Sequence, residues 1–279
     1  MTQFFHGLGL TLESEIDLPG AMPRNGHTGE ADVRISLGEA SLPDPETTNA
    51  VYSRRGDRLL FDAPGVARYL ADAGTRLVIE PVAGADLAEV TALLIATALP
   101  MLVWMRGGFV LHASAFILPG DDLAVAIAGP SGSGKSTVLD HMVKQGARCL
   151  GDDSLSIVID KGVVRASGLP TGYFLPLAGS GGRKFTTVPP PLWTESAPLG
   201  ALLVIGQPDS LDRPATGVTA LELLLKNRHR PRIPAIMRLE KSGLEFCARL
   251  SGQLPVSVWH RKPGEFGLPL PARDLRTPQ

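Results

Sequence analysis

The sequence has little of what marks the simpler protein classes. Only 2 of its 279 residues are cysteine. Cys149 and Cys247 stand in no paired or metal-ligand spacing, which argues against a disulfide scaffold and a structural zinc site and fits a cytoplasmic protein. Aromatics make up 5%, and none are interleaved with basic runs as a platform for stacked bases. Neither sign of charge is in excess: 27 Lys+Arg against 28 Asp+Glu leave a formal net of -1. No field of the kind a dedicated nucleic-acid binder uses is present, so no nucleic acid is expected as partner. At the N-terminus no basic segment leads into an apolar core, so MTQFFHGLGLTLESE does not read as a secretory signal. Long apolar runs are missing too. The most apolar stretch, VTALLIATALPMLVWM at 90–105, falls short of the ~20 residues of a membrane span and contains Pro100, so it reads as a buried core helix.

What is present is a chain with 44% hydrophobic residues, 31 Gly and 24 Pro, enough for a sizeable core in one large and one smaller domain. Residues 4–82 consist of short apolar alternations broken by turn residues, such as ADVRISLG, RLLFDAP and TRLVIEPV. They predict a small, mainly β N-terminal domain over 1–84. The remainder, 85–279, alternates differently. A continuous apolar run at 109–118 and a buried strand at 123–128 precede a helix at 137–145 and a strand at 148–150, the pattern of a βαβ unit in an α/β domain. A hairpin is expected at 154–160 and 163–167, then a Gly/Pro-rich loop at 168–198. A strand at 199–205, a helix at 219–227 and a last strand at 256–260 follow.

Chemistry concentrates in the second part. Gly129-Pro130-Ser131-Gly132-Ser133-Gly134-Lys135-Ser136 matches G-x-x-x-x-G-K-[ST] and falls between a predicted strand and a predicted helix. The glycines let successive N–H groups turn inward around phosphate, and the helix adds its positive end. Gly129, Ser131, Gly132, Ser133, Gly134, Lys135, Ser136 and Thr137 are the expected nucleotide-binding residues, with Lys135 on the β- and γ-phosphates and Ser136 on magnesium. Asp152 and Asp153 follow at the end of the next strand, where carboxylates face the ligand crevice; one could hold the metal while the other takes a proton. His112, inside an apolar strand, reads from sequence alone as a core histidine with a satisfied hydrogen bond. The loop 179–184 offers Arg183 and Lys184 to phosphate or an acidic peptide, or equally to solvent. The basic run 226–232 (KNRHRPR) reads as a solvated face matched to a helix dipole.

Taken together, LHASAF, GPSGSGKST, QGARCLGDD and the following hairpin resemble the kinase domain of the HPr kinase/phosphorylase family. They resemble more closely its shorter bacterial relatives, some of which phosphorylate a serine of lasso-peptide precursors. The resemblance implies a nucleotide-binding core like that of phosphoenolpyruvate carboxykinase. It further implies ATP and Mg2+ as cofactors and a peptide or small protein as acceptor. Asp152 is implied as base, Lys135 and Ser136 on ATP and magnesium, and His112 near the transferred group, which leaves the metal side to Asp153. Assembly as a homo-oligomer is a common family trait. Two features depart from true HPr kinases: Thr137 stands where they carry an acidic residue, and their later Glu-x-Arg-Gly signature is absent. HPr itself and the reverse phosphorolysis are therefore not carried over. A small-molecule kinase and an ATP-binding regulator without catalysis remain open alternatives. The N-terminal domain, which has no chemical motif, is expected to recognise the acceptor or a partner chain.

Overall fold

The computed structural model describes residues 2–177, 182–206, 212–262 and 264–269. Alternation of apolar and polar side chains builds the first sheet from β1 (Gln3–Gly7), β2 (Leu10–Ser14), β3 (Met22–Pro23), β4 (Val33–Leu37), β5 (Thr47–Asn49), β6 (Tyr52–Arg55), β7 (Arg58–Ala63), β8 (Ala67–Asp72) and β9 (Arg76–Pro81). Their order is β3-β1-β2-β4-β9-β8-β7-β6-β5. All neighbours are antiparallel except β2–β4 and β4–β9. Because strand side chains alternate between faces, Val33 and Ile35 are buried while Arg34 between them is exposed.

The inner face packs on a helical run of α1 (Leu87–Leu93), a π-helical segment (Leu94–Ala98) and α2 (Leu99–Met105). Tyr69 donates its hydroxyl to the Val90 carbonyl at 2.7 Å. Pro100 has no N–H to give, and the turn before it widens, with Leu99 donating to the Leu94 carbonyl. The Ala96 carbonyl, which an ordinary residue 100 would engage, accepts instead from Arg230 Nε at 3.1 Å. From Leu87 to Met105 the run is 19 residues with a mean hydropathy of 1.9, long and apolar enough to cross a membrane. Here Leu94, Ala98, Met101 and Leu102 are fully buried against the protein's own core, as a core helix requires.

The second sheet begins with β10 (Phe109–Leu111), β11 (Ala113–Ile117) and β12 (Ala124–Ala128), then α3 (Lys135–Lys144) and β13 (Arg148–Gly151). A hairpin of β14 (Leu155–Asp160) and β15 (Val163–Ser167) follows, then a separate two-stranded sheet of β16 (Gly172–Pro176) and β17 (Arg183–Thr187). The chain ends through β18 (Ala197–Ile205), β19 (Arg213–Ala215), α4 (Gly217–Lys226), α5 (Arg232–Ile236), α6 (Glu240–Ser251) and β20 (Val256–Trp259). The order is β10-β14-β15-β18-β12-β11-β13, with β20 added to β18 and β19 to β20. Every residue of β11 and β12 is buried, as expected of strands covered on both faces. The result is a mixed α/β protein with several sheets and few helices. One apolar cluster runs from Phe5 and Tyr69 through Trp104 to Leu155 and Val256, so the two large sheets share a core.

Several expectations are corrected. The apolar run at 109–118 is not one strand: it breaks at His112, β10 joining β14 while β11 joins β12 and β13. β11 lies antiparallel between β12 and β13, so the βαβ unit has a strand inserted between its two members. Residues 168–198 are not a plain loop, since β16 and β17 form a hairpin there; residues 179–181 of the basic loop lie outside the described residues. Helices α5 and α6 were not legible, because their short apolar spacing is interrupted by Pro234 and Gly243. Both cysteines are buried free thiols, and burial pushes Cys247 up to about 12 and Cys149 likewise upward. Neither is poised to react.

Candidate active site

The loop 129–136 joins the end of β12 to the start of α3. Gly129, Gly132 and Gly134 all adopt left-handed backbone angles, with φ of 146°, 80° and 92°, which turns the intervening N–H groups toward one centre. A Cβ at Gly134 would meet only the mobile end of the Arg261 side chain, at 2.6 Å from Nη1, so it is the left-handed conformation that calls for glycine there. Lys135 opens α3 and is only 6% exposed; its Nζ lies back on the carbonyls of Gly129 (2.9 Å) and Pro130 (3.1 Å). Burial pulls its pKa down, opposed by the charges of Asp153 and Asp152. The Ser133 hydroxyl is buried without a partner among the described residues. Ser131, Gly132, Gly134, Lys135, Ser136 and Thr137 line one concavity together with Asp152 and Asp153. Open glycine backbone, a buried ammonium and hydroxyls at a helix N-terminus fit a polyphosphate with a divalent cation.

At the end of β13 the two aspartates diverge. Asp153 has φ of 65°, a left-handed conformation that Asp tolerates better than most residues. Ser154 N donates to the Asp152 carbonyl at 2.7 Å, closing a tight turn. The neighbouring side chains therefore point apart. Asp152 accepts from the hydroxyls of Ser114 and Ser136. Burial raises its pKa and the Asp153 charge adds to this, against those hydroxyl bonds. Asp153 reaches His112 Nδ1 with Oδ1 at 3.3 Å and His229 Nε2 with Oδ2 at 3.3 Å. Burial alone would raise its pKa, but the two imidazoles outweigh burial and hold the carboxyl well below the usual range.

His229 comes from the basic run that sequence reading assigned to solvent. That assignment fails for this residue because its backbone is captured. His112 N donates to the Asn227 carbonyl at 2.8 Å and His229 N to the Val110 carbonyl at 2.9 Å, so 227–229 lies strand-like along the break between β10 and β11. Trp104 Nε1 holds the His229 carbonyl at 3.1 Å. The imidazole is 4% exposed, and burial lowers its pKa despite Asp153. His112 has the satisfied hydrogen bond expected of it, Nδ1 lying 3.0 Å from the Asp153 carbonyl oxygen, but it is half-buried and lines the same concavity instead of the core.

Three more residues join the site. Ser114 is fully buried one strand away and fixes Asp152. Arg261, from beyond β20, donates to the Ser133 carbonyl at 3.4 Å. Arg183, on β17, lines the phosphate-side concavity, while Lys184, pointing to the other face of the strand, does not. No spacing in the sequence links Ser114, His229 or Arg261 to the glycine loop; in retrospect, the polar residues flanking Ala113 in LHAS were the available signal. A cavity of about 330 Å³ beyond the carboxylates is lined by Pro19, Gly20, Ile95, Leu169 and Phe185. The first sheet's connections therefore reach the site. A wider groove of about 800 Å³ runs past His112, Asp153, Ser131 and Lys226.

No family model matches the chain, and no curated protein matches it. Among solved structures it is similar to the Hpr(Ser) kinase/phosphatase from Coxiella burnetii, at 15% identity and a TM-score of 0.36, over 56% of this chain and 81% of that one. The likeness is distant, and what the site can do follows from its own residues.

Proposed function

We propose that the chain is an ATP-dependent kinase that transfers phosphate to a hydroxyl, most naturally a serine of a peptide or small protein, of which a lasso-peptide precursor is one instance. The observation that carries this reading is the convergence of a complete phosphate loop with two carboxylates of opposite character. Among the described residues Asp152 accepts from neutral donors, the Ser114 and Ser136 hydroxyls and the Asp153 backbone N–H, and burial raises its pKa, so its ionised form needs a counter-cation, and it stands beside Ser136. That supports Asp152 and Ser136 as the holders of Mg2+, which when bound neutralises charge on the phosphates. Asp153 already has two imidazoles, and with His112 it borders the open groove. That supports Asp153 and His112 as the side that orients the acceptor hydroxyl and receives its proton. These roles exchange the two aspartates relative to the order implied by the resemblance. A weak base suffices because phosphoryl transfer is mainly positioning and charge stabilisation.

Lys135 neutralises charge developing on the transferred group, and N–H groups of Gly132, Ser133 and Gly134 cradle the phosphates. A groove of about 800 Å³ has room for an extended peptide. The adjoining apolar cavity suits a side chain next to the serine, with the first sheet contributing its wall. The test is ATP turnover and phosphate transfer to peptide, protein and small-molecule acceptors, in the wild type and in Lys135→Ala. Loss of both in the variant is expected; wild-type turnover there would overturn the nucleotide site.

A further inference from the structure

His112 Nδ1, one Asp153 oxygen and His229 Nε2 all lie within 4.8 Å of one another. His112 Nδ1 stands 3.3 Å from Oδ1 and His229 Nε2 3.3 Å from Oδ2 of Asp153, and His112 Nδ1 also lies 3.0 Å from the Asp153 backbone carbonyl oxygen. Ligands bound at about 2.0–2.2 Å around a tetrahedral ion are separated by about 3.3–3.4 Å, close to both pairs, so an ion held between the two imidazoles and the two carboxylate oxygens would replace the proton that His112 Nδ1 now directs at Asp153. The elements that hold the three residues are fixed independently of any ion: His112 by the break between β10 and β11, Asp153 by its left-handed turn, and His229 by the backbone bonds of 227–229. His112 is half-exposed toward the groove, which leaves an entry path and an open coordination position.

We propose that His112, Asp153 and His229 form a second cation site, separate from the Ser136/Asp152 side, that takes an imidazole-preferring ion of the Zn2+ class rather than Mg2+. Two nitrogens and one carboxylate suit zinc or cobalt; magnesium favours oxygen ligands and gives up its waters reluctantly. Metal on Nε2 of His229 leaves a proton on Nδ1, which is buried without a partner among the described residues. Missing support of this kind weakens metal affinity by about 10–100-fold. The site therefore fills and empties with the ion's concentration instead of holding it permanently. The consequence for transfer rests on the kinase reading above: an ion on Asp153 and His112 occupies the lone pairs that would receive the acceptor's proton, so Zn2+ silences transfer without displacing ATP.

The experiment titrates the full-length protein with Co2+, without nucleotide or Mg2+, and follows the visible d–d absorption. One Co2+ per chain is expected, displaced by Zn2+ and retained in a large excess of Mg2+. His112→Gln and His229→Gln should each weaken it at least tenfold, while His141→Gln on α3 leaves it unchanged. Should the buried His229 variant fail to fold, the half-exposed His112 variant decides alone. Absence of a stoichiometric Co2+ band, or a band unchanged in the His112 variant, would overturn the site. Binding is read without catalysis, so a chain that binds Co2+ yet phosphorylates nothing refutes the kinase reading and leaves the metal site standing. Transfer that persists with the site filled by Zn2+ would overturn the silencing.

Discussion

The two sides of the paired aspartates are built by opposite means. On one side, Ser131 to Thr137 come from a single stretch of chain whose glycines and helix start shape the cradle locally, and Asp152 joins it through Ser136. On the other side, His112, Asp153 and His229 come from three separated segments and meet only because 227–229 pairs with the strand break at 110–112. The first side leaves its anion short of positive partners; the second surrounds its anion with donors. A site of this kind divides labour by environment, since two adjacent carboxyl groups with the same intrinsic acidity are driven in opposite directions.

The largest effect expected is from Lys135→Ala, which removes the ammonium of the loop side and should reduce transfer to background in a radiometric assay. Next comes Asp153→Asn on the imidazole side. Transfer should fall by about 10²–10⁴, the span of a positioned acid–base group, while ATP affinity measured by calorimetry survives. Asp152→Asn should instead reduce the Mg2+-dependent part of ATP affinity by roughly tenfold or more, some 1.4 kcal/mol. Its pH dependence sharpens the contrast. Asp152 must be ionised to hold the cation, and its folded pKa is raised. Mg2+-dependent affinity should thus be present at neutral pH and be lost on acidification, from a pH above the ordinary aspartate value of about 3.9. A pKa raised on folding also means that the ionised form opposes folding at neutral pH, so Asp152→Asn should raise Tm while impairing function.

How much of this was legible depends on the range of the interactions. The glycine loop, the strand before it and the helix after it could be read because motif and flanks are contiguous; the β14–β15 hairpin and the alternation of the first sheet were legible for the same reason. The break at His112 was hidden because β10 and β11 are equally apolar, and only the pairing of each with a different strand separates them. His229 sits among Arg228, Arg230 and Arg232, a composition that signals solvent, yet its backbone N–H donates to the Val110 carbonyl and its carbonyl accepts from the Trp104 indole, which carries it inward. The β16–β17 hairpin was masked by the prolines and glycines around it.

Smaller effects refine the same contrast. A Cβ at Gly151 would lie 2.7 Å from Leu169 N and 2.8 Å from Gly168 Cα, both backbone. Gly151→Ala should destabilise by about 1–3 kcal/mol in urea unfolding and misplace both carboxylates together. Arg183→Ala should weaken ATP or acceptor binding by roughly tenfold as a charge-assisted contact is lost, whereas Lys184→Ala on the opposite face of β17 stays within about 0.5 kcal/mol of wild type.

The most direct measurement sets ATP affinity, with and without Mg2+, beside phosphate transfer in Asp152→Asn and Asp153→Asn. A two-sided kinase site predicts a crossed result: Asp152→Asn loses the Mg2+-dependent affinity, and Asp153→Asn keeps that affinity but loses transfer. If both variants bind ATP with Mg2+ as the wild type does and transfer phosphate at its rate, neither aspartate has the role assigned to it and the account is contradicted.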